Sequence, residues 1–204
     1  MPPKTFLETF QKPSVKILLL SNLVVIVMAV YQHWSLPTLF WSYWVQSVII
    51  GLFQFYKILD LKNFSTEGFK INGRSVEPTE KNKKQTAYFF LFHYGFFHFA
   101  YAIFLVGMSG VVAWDTVEIA GAVFLINHII SYRTNKATDS SRVPNIGKIM
   151  FFPYWRIIPM HLSIIFILPF ADSIPALVFF LVLKTTADTM MHVIEHELAN
   201  VVVN

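Results

Sequence analysis

No cysteine occurs among the 204 residues of the chain. That absence excludes disulfides, thiolate metal sites and thiol catalysis together. Charge is scarce as well. Asp, Glu, Lys and Arg make up 14% of the residues, against about a quarter in an ordinary soluble domain. There is no glycine-rich loop of the kind that cradles phosphates, and the basic segments lack the interleaved aromatics of a nucleic-acid surface. Nucleotide chemistry and nucleic-acid partners are therefore not expected. No internal repeat is visible. What fills the chain instead is apolar: 55% hydrophobic and 17% aromatic residues, with a mean hydropathy of +0.53. The composition points to an integral membrane protein whose first partner is the lipid bilayer.

The opening "MPPKTFLETFQKPS" is polar, and the apolar run after it has no small-residue cleavage site, so it does not read as a cleavable signal. Spanning the hydrocarbon takes about 20 apolar residues in a helix. Six stretches qualify, at 15–31, 38–59, 87–108, 115–132, 150–170 and 175–196. The expected fold is all-α, a polytopic membrane protein of six transmembrane helices forming one domain over 1–204. The fourth stretch opens with two acids, and the fifth carries Pro153, Arg156 and Pro159.

Charge orients these spans. Lys4, Lys12 and Lys16 precede or open the first, seven basic residues lie between 57 and 84, and Arg133, Lys136, Arg142 and Lys148 follow the fourth. The connections near 32–37, 109–114 and 171–174 contain none. This is the positive-inside pattern of a multi-pass cell-membrane protein with both termini cytoplasmic. The stretch 60–86 reads as a polar cytoplasmic loop, too poor in apolar residues to bury a core of its own.

Ionisable groups at membrane depth are costly and usually face the bundle interior. A rise of about 1.5 Å per residue places His93, His98, His128, His161, His192 and His196 in the cytoplasmic half of the bilayer or at its midplane, on four helices. Asp188, His192 and His196 fall at i, i+4 and i+8, a ridge on one helix face. Imidazole is the commonest side-chain ligand for transition metals, and carboxylates complete or orient such sites. The leading expectation is a transition-metal site (zinc, iron or copper) held by His192, His196 and Asp188 with His161, His128 or His93. Haem on two of the histidines is a subcase. His93 and His98 are five apart, about 140° around a helix, so they do not point at one ion.

Other chemistries compete. "HVIEH" matches the H-x-x-E-H pattern of a metallopeptidase, but so short a match arises readily by composition. The same groups, with Lys184, suit a proton-coupled transporter, for which six spans would need a dimer. Lys184 and Asp188 also suit a plain i,i+4 pair, and Arg156 can snorkel to phosphates. In a third reading the polar residues lock helices in a homo-oligomer or a subunit of a membrane complex. Gln46 is a polar residue able to bond across helices. Ser109 in "GMSG" lies far from any base and reads as a turn.

The segments "YWVQSVIIGLFQFYKIL", "FFLFHYGFF", "PYWRIIPMHL" and "KTTADTMMHVIEH" together resemble a family of prokaryotic multi-pass membrane proteins known only as a domain of unknown function. The resemblance covers nearly the whole chain. It implies roles for His93, Arg156, His161, Asp188, His192 and His196, and Gln46 departs from a more usual Glu. It implies an architecture and no reaction.

Overall fold

Long apolar runs with few glycine or proline interruptions form helices, and these dominate. The computed structural model describes the backbone of residues 13–140, 143–167 and 173–200, with side chains from Val15 to Met191 except at 17, 18, 21, 131, 134–140, 164 and 167. The described helices are α1 (Pro13–Tyr31), α2 (Leu36–Asp60), α3 (Glu80–Val106), α4 (Trp114–Ser140), α5 (Ile146–Phe151), α6 (Tyr154–Ile167) and α7 (Ile174–Asn200). A two-residue hairpin, β1 (Lys70–Ile71) with β2 (Arg74–Ser75), lies between α2 and α3.

Local chemistry sets several of these boundaries. Pro37 lies in the first turn of α2, where a missing N–H costs nothing. Thr79 caps α3 by accepting from Asn82 N, and Asn145 caps α5 by accepting from Lys148 N. The expected fifth span, 150–170, is divided. Pro153 separates α5 from α6 because proline offers no N–H to continue the helical ladder. α6 then has 14 described residues, about 21 Å of helix.

Among the described residues, three helical segments are long and apolar enough to cross a membrane: Leu36–Asp60, Glu80–Val106 and Ile174–Met191. The protein is thus a mostly helical membrane protein. The other three expected spans differ for local reasons. α4 carries Asp115, Glu118 and a polar second half, α6 is short, and the apolar part of α1 with described side chains is Asn22–Tyr31. The surface agrees with a lipid environment. Phe92, Phe96 and Phe99 stand 73%, 66% and 67% exposed along α3, a contiguous aromatic face of a size that soluble monomers rarely leave in water.

α2 packs against α3 and α4, and α7 packs against α1 and α6. At one end of α2 lie the connections 32–35 and 107–113, joined where Ser35 Oγ donates to Val111 O, and Ala113 N donates to Thr38 Oγ1 of α2 at 2.9 Å. At its other end the segment 61–79 folds as a cap. Ser65 pairs with Asn145, Ser65 N donating to Pro144 O and Ile146 N to Ser65 O, both at 2.9 Å. Lys83 ties the cap down, its ammonium donating to Leu61 O at 2.8 Å and to Glu80 at 2.7 Å. The stretch expected as a plain polar loop is therefore organised against α5 without becoming a separate domain.

Gly51 sets how closely α2 and α3 approach. A Cβ at this position would lie 2.6 Å from Tyr94 Cε1, whereas one at Gly95 meets nothing within 4 Å. Gly51→Ala should cost about 1–3 kcal/mol by overpacking, several degrees of Tm for a chain of this size. Gly95→Ala should leave Tm unchanged or raise it, and thermal unfolding of the two variants in detergent reads the contrast.

Candidate functional site

Among the described residues, a concentration of buried charge lies where α1, α2, α6 and α7 meet. Lys184 and Asp188 are one turn apart on α7, so their side chains lie over one another. Lys184 Nζ donates to Asp188 Oδ2 at 2.6 Å. The second carboxylate oxygen, Oδ1, is 3.5 Å from Arg156 Nη1 of α6. One carboxylate thus serves two cations. Lys184 also reaches α1, donating to Asn22 Oδ1 at 3.3 Å, and Asn22 is itself buried.

Arg156 does not snorkel. Its side chain is 9% exposed, and its guanidinium carbon sits 4.8 Å from the centroid of the Tyr43 ring, with Phe124 of α4 at 6.0 Å. The Tyr43 hydroxyl donates to Arg156 O at 3.2 Å. A cation over an aromatic face gains more when both are removed from water. Arg156 Nε is buried with no hydrogen-bond partner among the described residues. Two cations and one carboxylate leave the centre with one positive charge in excess among the described side chains.

Beside this centre is a cavity of about 510 Å³. Thr38, Ser42 and Gln46, spaced by four on α2, form a polar track along it. Val25, Leu39, Phe180 and Leu181 supply apolar wall, and His33, Trp34, Val111 and Ala113 lie at the end formed by the two connecting loops. Lys184 lines the interior, and among the described residues no Asp or Glu does.

The histidines go elsewhere. His93 is exposed on α3, stacks on Phe89 and shares a 2.7 Å hydrogen bond with the Tyr154 hydroxyl. His161 is exposed on α6, with Nδ1 3.2 Å from the Tyr101 hydroxyl. His128 lies on α4 between Phe124 and Phe53. His98 is buried on α3, facing α2. Among the described residues no group of three or more His, Asp or Glu is placed to hold a metal ion. The side chains of His192 and His196 lie outside the described residues. Of the expected ligands, Asp188 is committed to Lys184 and Arg156.

His98 belongs to a second polar assembly that the sequence did not signal. Its Nδ1 is 2.9 Å from the carbonyl of Tyr94, an acceptor only, so this nitrogen carries the proton. Nε2 then accepts from the Ser47 hydroxyl at 2.8 Å. The Tyr94 hydroxyl in turn donates to Ser47 Oγ at 2.8 Å. Trp44 Nε1 donates to the carbonyl of His98 at 2.8 Å. The serine–imidazole geometry resembles an activated nucleophile, but Ser47 and His98 are 2% and 5% exposed, and Ser47 is absent from the cavity wall. It is a lock between α2 and α3. Ser47 and Gly51 at i,i+4 form the small-x3-small signal that marks such close contacts in membranes.

Sequence comparison bears on the whole of this arrangement. The chain belongs to the Family of unknown function (DUF6498), which matches residues 5–202. No curated protein and no solved structure matches it. The family match spans the helices that build both polar assemblies and brings no assigned activity to either.

The charge count predicts unequal losses. Asp188→Asn leaves Arg156 and Lys184 as facing, uncompensated cations and should cost about 3–5 kcal/mol, as breaking a buried pair does. Lys184→Gln leaves the neutral Arg156–Asp188 pair and should cost much less. Thermal unfolding of the two purified variants in one detergent measures the difference, and equal losses would contradict the count.

Proposed function

We propose that this is a six-span cell-membrane protein, both termini cytoplasmic, that binds a small solute in the cavity beside Lys184 and couples it to the Lys184–Asp188–Arg156 centre. The observation that carries the reading is the position of Lys184. A lysine near the middle of a membrane helix is expensive, and this one lines a ligand-sized cavity while its carboxylate partner is shared with a second cation. Small-molecule sites are usually apolar clefts of about 300–1,000 Å³ with a few fixed polar groups, and the lining matches that description. In this topology the loops 32–35 and 107–113 face outward and the cap at 61–79 faces the cytoplasm, in keeping with its lysines. A charged solute bound at Lys184 changes the charge balance of the centre, which is the physical basis for proton coupling in a carrier.

The cysteine-free chain makes the test direct. Ser42→Cys should react with a membrane-impermeant maleimide added outside intact cells, Ser47→Cys should resist it, and Glu67→Cys should react only after permeabilisation. Solutes that occupy the cavity should slow labelling at position 42 and leave position 67 unaffected. Absence of external labelling at Ser42→Cys, or of protection by any member of a broad panel of anionic, neutral and cationic solutes, would overturn the reading.

Transition-metal binding is the competing reading, and its support is the ridge of Asp188, His192 and His196 on one helix. Metal content after detergent purification tests it, through a stoichiometric ion that is lost in a His192→Ala/His196→Ala variant.

A further inference from the structure

We infer that the solute taken by this cavity is a monoanion with an apolar body, its carboxylate-type head placed at Lys184. The inference rests on the cavity reading above and narrows it. Four observations converge on it. The ionic centre carries one surplus positive charge among the described residues, because Asp188 faces both Arg156 and Lys184. Of the two cations of the centre, Lys184 lines the cavity and Arg156 does not, although Lys184 is the more tightly paired, at 2.6 Å from Asp188 against 3.5 Å. The Lys184 ammonium has three donors; two are spent on Asp188 and Asn22, and the third has no protein acceptor among the described residues. Finally, among the described residues the wall contains no Asp or Glu to satisfy or repel a ligand, and its other titratable side chains are His33 at the loop end and Tyr43.

The consequence follows from electrostatics in a weakly solvating medium. A net charge held at membrane depth is costly, and one anion brings the centre to neutrality. A neutral solute leaves the surplus in place, a cation doubles it, and a dianion reverses it. The preference is therefore for a single negative charge. A carboxylate would accept the free Lys184 donor in a charge-assisted bond, stronger than a neutral one. Ser42, Thr38 and Gln46 lie along the path of the head group and can donate to its second oxygen as it enters, while Leu39, Phe180 and Leu181 meet an apolar body. The volume accommodates an aromatic or short aliphatic acid, so the source can be either a water-soluble acid or a fatty acid from the bilayer.

Benzoate, benzamide and benzylammonium share one body and differ in charge, and octanoate represents the aliphatic source. Protection of Ser42→Cys against the maleimide, measured as a function of probe concentration, orders their apparent affinities. Benzoate or octanoate should protect at least tenfold better than benzamide, with benzylammonium weakest, and whichever acid protects better identifies the source. Adding Lys184→Gln should erase the benzoate-over-benzamide preference, and Lys184→Arg should retain it. Circular dichroism and unfolding in detergent establish that both variants are folded, as the neutral Arg156–Asp188 pair predicts for Lys184→Gln. If benzamide protects as well as either acid, or the preference survives Lys184→Gln, the anion inference fails while the cavity reading stands. If no solute of any charge protects, both fail.

Discussion

One carboxylate answering to two cations, away from bulk water, is the constraint around which this bundle is arranged. Asp188 cannot neutralise both Lys184 and Arg156, yet neither cation has another acid among the described residues at the centre. Each is therefore held by secondary means. Arg156 rests on the face of Tyr43, and Lys184 reaches across to Asn22. These contacts draw α1, α2 and α6 toward α7 around one point. An isolated charge in that position would be prohibitive, and a compensated one is tolerable only while the helices keep their register. The centre thus contributes geometry more than stability, and of its two cations Lys184 faces the cavity.

α2 divides the labour of the structure by face. Thr38, Ser42 and Gln46 line the cavity; Tyr43 supports Arg156; Ser47 and Gly51 receive α3. In lipid there is little hydrophobic gain in bringing two apolar helices together, so close contact relies on small residues and hydrogen bonds between side chains. The Ser47–His98–Tyr94 assembly supplies those bonds, and Gly51 removes the one Cβ that would keep Tyr94 away. The lock and the cavity use different sides of the same rod, so the α2–α3 contact does not obstruct the cavity face.

The histidines illustrate how depth and position differ. Each of the four helix-borne histidines with described side chains is matched to its own neighbour: His93 to Tyr154, His98 to Ser47, His161 to Tyr101, His128 to Phe53 and Phe124. A tyrosine or serine hydroxyl satisfies an imidazole nitrogen as well as a metal does, and it requires no ligand to be recruited. Clustering by depth along four helices therefore did not become clustering in space for these four.

Much of this protein is determined along the chain alone. The scarcity of charge and length of the apolar runs dictate a helical membrane protein, because only helices satisfy their own backbone groups in lipid. The i,i+4 spacing of Lys184 and Asp188 dictates their pairing, since the helix itself brings them together. Pro153 marks a break in the fifth stretch, which hydropathy alone carries through as one span. The partner of Arg156, the choice of Ser47 over its neighbour Gln46 as the bridge to α3, and the exposure of His93 and His161 were decided by tertiary structure. The physical reason is rotational. Composition and hydropathy place a residue at a depth along its helix, whereas only the packing of one helix against the next settles which way that residue points.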